Sequence, residues 1–318
     1  MKDNTIVTIG DINYLWGLFL LIASARKAGM DEPFLVGTKA FTPRADRILR
    51  QLGDVSLVSL DDAELSLTCY KPHVMVQAKT PYVTWADSDA FFTGDVSPLL
   101  KPERPDEIHF RLRSSAEMPD AFRNHTYGED GRSIPRRILD VWRQDIARIA
   151  GTATDGSRYS TSGSGCFCSL SLERHRRFLE IWDELQMTVL PRHDVGVADH
   201  ALPYYHQLDE STLNACLNFV PEAPRVQDVF RLDKDPSRLF VHFIARPKPW
   251  VGWTKGAFRH FDSYVSVVEW AEREGYELPG PVPFSLRRAN KTLVRLAIPY
   301  VTAKVKVSNR LNKLFRKR

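Results

Sequence analysis

The residues best suited to chemistry are two carboxylates separated by a single residue, in Trp85-Ala86-Asp87-Ser88-Asp89-Ala90-Phe91-Phe92. Acids so spaced, turning off the end of a buried strand, can aim oxygens at one hard divalent cation. An ion held this way bridges diphosphate oxygens and neutralises charge on a departing phosphate. An Asp-x-Asp alone is also what solvated loop acids or helix caps look like, so its weight comes from its place behind Tyr82-Val83-Thr84-Trp85. A second segment, Val241-His242-Phe243-Ile244-Ala245-Arg246-Pro247-Lys248-Pro249-Trp250, supplies an imidazole, a good third ligand for Mn²⁺ and a poorer one for Mg²⁺. Its Arg246 and Lys248 suit phosphate oxygens as a fork and a point charge. By itself this stretch is equally a proline-rich loop with a satisfied histidine; only the pairing with the acids points to a metal–diphosphate site.

The elements that must position these groups read as a strand–helix alternation. Thr5 to Ile9 is rich in β-branched residues and suits a buried strand. A helix over Leu15 to Ala28 follows, with Gly29 where a C-terminal stop belongs. Then come a strand at Pro33 to Gly37, a helix at Arg44 to Leu52, a strand at Val55 to Leu60, a helical Pro72 to Lys79, and the strand Tyr82 to Trp85. This rhythm predicts a single Rossmann-like, mostly parallel α/β sheet flanked by helices. Beyond Asp95 it loosens into a strand at Ile108 to Leu112, a helix at Ile134 to Ile149, a Gly/Ser/Thr-rich loop over 151–165, a strand at Cys166 to Leu170 and a helix at Leu172 to Leu185. Trp142, Trp182 and Trp270 fall within helices and default to core packing.

The expected division is a catalytic domain at 1–278 (1–100 for nucleotide, 101–278 for substrate) and a tail at 279–318 behind the linker Pro279-Gly280-Pro281-Val282-Pro283. Charge follows the same line. From Leu278 to Arg318 there are 11 Lys/Arg and no Asp or Glu, leaving 33 basic against 39 acidic residues in the body. The tail segments Leu286 to Ala297 and Val301 to Phe315 mix apolar residues with Arg288, Lys291, Arg295, Lys304, Lys306, Arg310 and Lys313, a composition for amphipathic helices on anionic lipid. The acidic body shows no nucleic-acid motif, so nucleic acid is not the expected partner. Cys69, Cys166, Cys168 and Cys216 form no CxxC pair and no disulfide framework, which suits a reducing compartment without structural zinc. The N-terminus shows no signal-peptide organisation, and the apolar run Leu15 to Ala23 is half of a bilayer span. A cytoplasmic chain, peripheral on the inner face of the plasma membrane, is expected.

Taken in order, four blocks resemble glycosyltransferase family 8, which includes bacterial lipopolysaccharide glucosyl- and galactosyltransferases. They are Ile9-Gly10-Asp11-Ile12-Asn13-Tyr14, Asp87-Ser88-Asp89, Asp209-Glu210-Ser211-Thr212-Leu213-Asn214, and His242 through Trp250. The resemblance spans roughly residues 4–255 and implies a GT-A type fold, with the tail added behind it. It implies Mn²⁺ (or Mg²⁺) on Asp87, Asp89 and His242, with Lys248 on the diphosphate of a UDP-sugar donor. Asp11, Asn13, Tyr14, Lys71, Asp87, Ser88 and Ala245 would complete the nucleotide contacts, although Asp11 or Asn13 would also serve as a helix N-cap. Asp209 would hold donor-sugar hydroxyls. Glu210 would lie beneath the oxocarbenium-like centre or act as a base toward the acceptor; as a first-turn acid it also suits the helix dipole. The implied reaction moves a hexose to a glycan or glycolipid acceptor with retention, in bacterial surface polysaccharide synthesis.

Three departures stand out. Glu210 replaces the family's Gln, Gly163-Ser164-Gly165 replaces its Asn-Ala-Gly, and Ala245 replaces a glycine near the phosphates. These keep open a catalytically silent sugar-nucleotide or membrane-surface binding protein. A nucleotidyltransferase would carry a Gly-rich basic loop near the first strand, which Ile9-Gly10-Asp11 is not. An Asp-x-Asp phosphatase would carry Thr soon after the pair, where Ala90-Phe91-Phe92 stands. His193, Asp194, Asp199, His200 and His206 lack metal-ligand spacing and are expected to be solvated or to face an acceptor.

Overall fold

A run of β-branched and aliphatic residues gives a strand that can be buried on both faces only where helices cover both sides of a sheet. β1 (Asn4–Asp11), β2 (Phe34–Lys39), β3 (Val55–Ser59) and β4 (Tyr82–Ala86) meet that condition. In the computed structural model, which describes residues 2–112, 133–190, 202–228, 239–244 and 246–315 (side chains of 306–315 excepted), they pair in parallel in the order β3-β2-β1-β4. Three more strands extend the sheet to seven: β6 (Glu107–Leu112), β7 (Gly163–Ser171) and β8 (Arg225–Asp228), in the order β4-β7-β6-β8. Only β7 runs against its neighbours. The sheet is therefore the mostly parallel α/β arrangement expected.

The first helix, α1 (Leu15–Lys27), is apolar nearly all round because it is buried on more than one side. It lies between the large sheet and a separate two-stranded ribbon formed by β5 (Ala90–Phe92) and β9 (Phe240–His242). Ser24 fastens the contact, its hydroxyl accepting the Phe92 N–H at 2.9 Å. Gly29 ends the helix in the left-handed region, at φ 83°. α2 (Pro43–Arg50) begins on a Thr42 cap and packs beside α1; the short α3 (Lys71–Met75) covers the other face. That second face also receives α4 (Arg136–Ala150), α5 (Leu172–Val189) and α6 (Asp209–Phe219). Trp142 and Trp182 are buried there, and Trp270 packs at the edge of the first core on α7 (Phe261–Arg273).

The stretch behind residue 278 is tied to the body at its start. Arg44 donates to Leu278 O and Pro279 O, and the Trp253 indole donates to Ser285 O at 2.8 Å. Leu286 and Val294 enter the first core. A single helix, α8 (Lys291–Phe315), then runs on through Pro299, where two segments had been expected. No helix among the described residues is long and apolar enough to cross a membrane. Of the His/Asp-rich stretch, His193, Asp194, Asp199 and His200 lie outside the described residues, and His206 is buried rather than solvated.

Candidate active site

β4 ends at Ala86, and the chain turns tightly over Asp87-Ser88-Asp89 before re-entering extended structure in β5. The turn is closed by the Ala90 N–H on Asp87 O (3.1 Å) and anchored by the Asp87 N–H on Cys166 O (3.0 Å). β9 then pairs antiparallel to β5, setting His242 opposite Ala90, with the Phe243 N–H on Asp89 O at 2.9 Å. This register brings the distant histidine to the acids: His242 Nε2 lies 2.9 Å from Asp89 Oδ1 and 3.4 Å from Asp87 Oδ2. An aromatic layer supports the ribbon. Phe91 and Phe243 stack at 5.6 Å, with Tyr264 edge-on to both.

α1 supplies the floor. A methyl on Gly17 would come 2.5 Å from Ser88 O and 2.7 Å from the Trp250 ring, so only glycine lets the acidic turn and the Lys248 loop close over the helix. Trp250 in turn meets Tyr14 edge-on at 5.6 Å. Nothing in the spacing of the sequence marks Gly17; its role depends on two turns that fold onto it from elsewhere.

Each carboxylate has its own cation. Lys248 Nζ is 2.6 Å from Asp89 Oδ2 and also donates to Phe243 O (2.5 Å). Burial opposes ionisation of Asp89, but His242 first and Lys248 next outweigh it, holding the carboxyl well below the usual carboxylate range. Burial likewise opposes charge on His242, and Asp89 and then Cys166 lift the imidazole well above its ordinary value. On the other side, Lys71 Nζ lies 3.0 Å from Asp87 Oδ1, 2.7 Å from Asp209 Oδ2 and 3.1 Å from Gly165 O, a full set of acceptors for an ammonium. Its charge also faces the Trp85 ring at 4.8 Å, and the Trp85 indole donates to Asp87 Oδ1 at 2.7 Å.

Asp209 and Glu210 open α6, as expected, directly after Leu208, whose φ of 47° is strained for a branched residue. Burial, against the pull of Lys71, pushes Asp209 up to about 6. Glu210 Oε2 accepts the Gly165 N–H at 3.2 Å. Gly163, two residues earlier, is braced by Asn214, which accepts its N–H at 2.6 Å and donates to its carbonyl. The segment that departs from the family's Asn-Ala-Gly thus borders the site through backbone groups.

The remaining expected residues are spread around this centre. Asp11 caps the 3-10 turn Ile12–Tyr14, accepting the N–H groups of Asn13 (2.9 Å) and Tyr14 (3.1 Å). Tyr14 stands close enough for its hydroxyl to be pushed up by burial and then by the Asp89 charge. Asn13 lines a recess with Ile12, Trp16, Thr42, Arg44 and Pro279, to which no carboxylate of the site contributes. Ser88 contributes its carbonyl to the Gly17 contact, and Ala245 lies outside the described residues. Lys71 joins two carboxylates.

Asp87, Asp89 and His242 offer two oxygens and one nitrogen, all within 4.8 Å of one another. His242 Nε2 faces both acids, at 2.9 Å from Asp89 Oδ1 and 3.4 Å from Asp87 Oδ2, and a cation held by the three would take the place of this ion pair in balancing the carboxylates. The donor set fits Mn²⁺ well and Mg²⁺ less well.

No protein-family model and no curated protein matches the sequence. The fold, however, matches solved glycosyltransferases. The bifunctional glycosyltransferase WbbM aligns over 90% of this chain at 13% identity and a TM-score of 0.58, the chain spanning 51% of its length. The galactosyltransferase LgtC, solved with donor and acceptor sugar analogues, aligns over 85% of this chain and 99% of its own at 14% identity and a TM-score of 0.52. GlyE of Streptococcus pneumoniae aligns over 88% of this chain and 66% of its own, at 13% and 0.53. The architecture is that of the GT-A glycosyltransferases.

Proposed function

We propose that this chain is a metal-dependent glycosyltransferase that moves a hexose from a UDP-sugar to a glycan or glycolipid acceptor, with retention at the anomeric carbon. The observation that carries this reading is the meeting of His242 with Asp87 and Asp89 across the β5–β9 ribbon, with Lys248 on the same carboxylate. The resemblance of the four sequence blocks to lipopolysaccharide sugar transferases supports a role in bacterial surface polysaccharide synthesis.

A divalent ion bound to Asp87, Asp89 and His242 would supply Lewis-acid stabilisation of the diphosphate leaving group. The rest belongs to the chain. Lys248 exchanges its hold on Asp89 for phosphate oxygens, keeping a positive charge where the leaving group develops its own negative one. Tyr14, with Asp11 and Asn13 on the turn after β1, borders the nucleoside. Asp209, held by Lys71, accepts hydrogen bonds from donor-sugar hydroxyls and orients the ring. Glu210, fixed by the Gly165 N–H, presents a carboxylate toward the anomeric centre and offsets its growing positive charge.

The test replaces Asp87 and Asp89 singly with Ala and measures Mn²⁺-dependent UDP-sugar hydrolysis and transfer. Both variants are expected to lose activity by 10² or more, roughly the loss seen when a principal charge-stabilising group is removed. Normal turnover by both would end the metal-site assignment. A panel of nucleotide sugars in thermal shift, with and without Mn²⁺, identifies the donor by selective stabilisation.

A further inference from the structure

α8 has two apolar rows with different fates. Val294, Ile298 and Val301 follow helical spacing on its inner side: Val294 is buried in the first core, and Val301 lies against Gly252 on the Lys248 loop. Leu293, Leu296 and Tyr300 follow the same spacing on the outer side and are 56%, 71% and 72% exposed. Val251, beside Gly252, and Ile244 expose further apolar surface on the loop that α8 overlies. An exposed apolar row of this kind marks an interaction surface.

We propose that this outer row is a docking face for an anionic lipid bilayer, with α8 lying in the plane of the interface. Charge complementarity selects the occupant. The chain from residue 278 onward holds 11 Lys/Arg and no acid. At the start of α8 that charge is already used: Lys291 pairs with Asp262, and nearby Arg288 pairs with Asp262 and Glu269. Arg295 and Lys304 remain exposed on α8, Lys304 one turn beyond Tyr300, and the later basic residues continue the positive run along the sequence. An apolar row, exposed cations with long stems that can snorkel and an aromatic hydroxyl match the demands of a headgroup boundary. Docked this way, the membrane would adjoin the loop carrying Lys248, whose carbonyl accepts the Val251 and Gly252 N–H groups. A lipid-linked acceptor could then reach the site from the bilayer plane, a consequence that rests on the transferase reading.

The experiment is flotation of the full chain with vesicles of phosphatidylcholine, alone or mixed with phosphatidylglycerol, at low and high salt. The chain is expected to float with the anionic vesicles at low salt only. Leu296→Glu with Tyr300→Glu should weaken partitioning at least about tenfold, from the loss of two inserted apolar groups. Arg295→Gln with Lys304→Gln should weaken it roughly fivefold per charge removed. All four positions are exposed, so UDP-induced thermal shifts with Mn²⁺ should stay unchanged in both variants. Flotation without any UDP response would sink the transferase reading and leave the docking face standing. Equal binding to neutral vesicles, unchanged partitioning of both variants, or a vesicle-independent dimer that the Glu pair dissociates would overturn the proposal.

Discussion

Lys71 Nζ lies 2.7 Å from Asp209 Oδ2 and 3.0 Å from Asp87 Oδ1, so one ammonium joins the acid that opens α6 to the acid that follows β4. Burial opposes its charge, but Asp209 and then Asp87 outweigh that and hold the lysine well above its ordinary value. The turn after β4 and the start of α6 are therefore mechanically and electrostatically linked through a single buried side chain.

Lys71→Met should leave Asp209 without its cation and Asp87 with His242 alone beside it, two largely buried carboxylates short of one positive charge. Removing one partner from such a cluster costs about 3–5 kcal/mol, readable as a lower urea midpoint at neutral pH. Lys71→Arg should recover part of that loss while changing KM for the donor, because a planar fork cannot reproduce the ammonium's three-way contact. A Lys71→Met protein as stable as the parent would show that the link contributes nothing.

Gly17→Ala sets two effects against each other. Helix propensity favours alanine by about 1 kcal/mol. The added methyl, however, meets Ser88 O and Trp250 at 2.5 and 2.7 Å, and overpacking costs typically 1–3 kcal/mol. The clash should win, lowering the melting temperature and weakening Mn²⁺ affinity in the same variant, because the displaced turn carries the acids. Mn²⁺ titration of a stable, tightly binding Gly17→Ala protein would refute this.

Glu210→Gln keeps an oxygen for the Gly165 N–H and removes only the charge. Stability should change by less than about 1 kcal/mol. Under the proposed mechanism kcat should fall on the order of 10²-fold with little change in KM. An unaltered kcat would reassign Glu210 to a structural cap on α6.

His260 gives a pH signature distinct from that of the Asp87, Asp89 and His242 cluster. It is buried against Phe91 and Phe243, accepts from the Arg259 guanidinium, and burial pushes its imidazole down to about 4 from an ordinary 6.5. The unfolded chain takes up this proton first as pH falls. Its contribution is therefore complete above pH 6.5 and drains away between 6.5 and about 4, at up to about 1.4 kcal/mol per pH unit. Urea unfolding of the parent and of His260→Phe across that window should show a shallower slope for the variant. Parallel curves would mean that His260 titrates normally.

Much of this protein was written along the chain. The β-branched runs at Thr5 to Ile9 and Tyr82 to Trp85, the apolar helix between them and the stop at Gly29 are local signals, and they fixed a parallel α/β sheet and the place of Asp87-Ser88-Asp89 at a strand end. Asp209 and Glu210 were legible as a helix start for the same reason. Other features were not, because they depend on pairs of distant segments. β5 and β9 are three residues each, too short for periodicity to register, yet their antiparallel register alone brings His242 to Asp89. The partners of Lys71, the clearance at Gly17 and the division of α8 into an inner and an outer row were likewise settled only by packing. Residue type and local order determine which groups are available for chemistry and which elements carry them. Which groups share one charge balance is decided when the ribbon, α1 and α6 close on one another, since electrostatic and steric terms act through space rather than along the sequence.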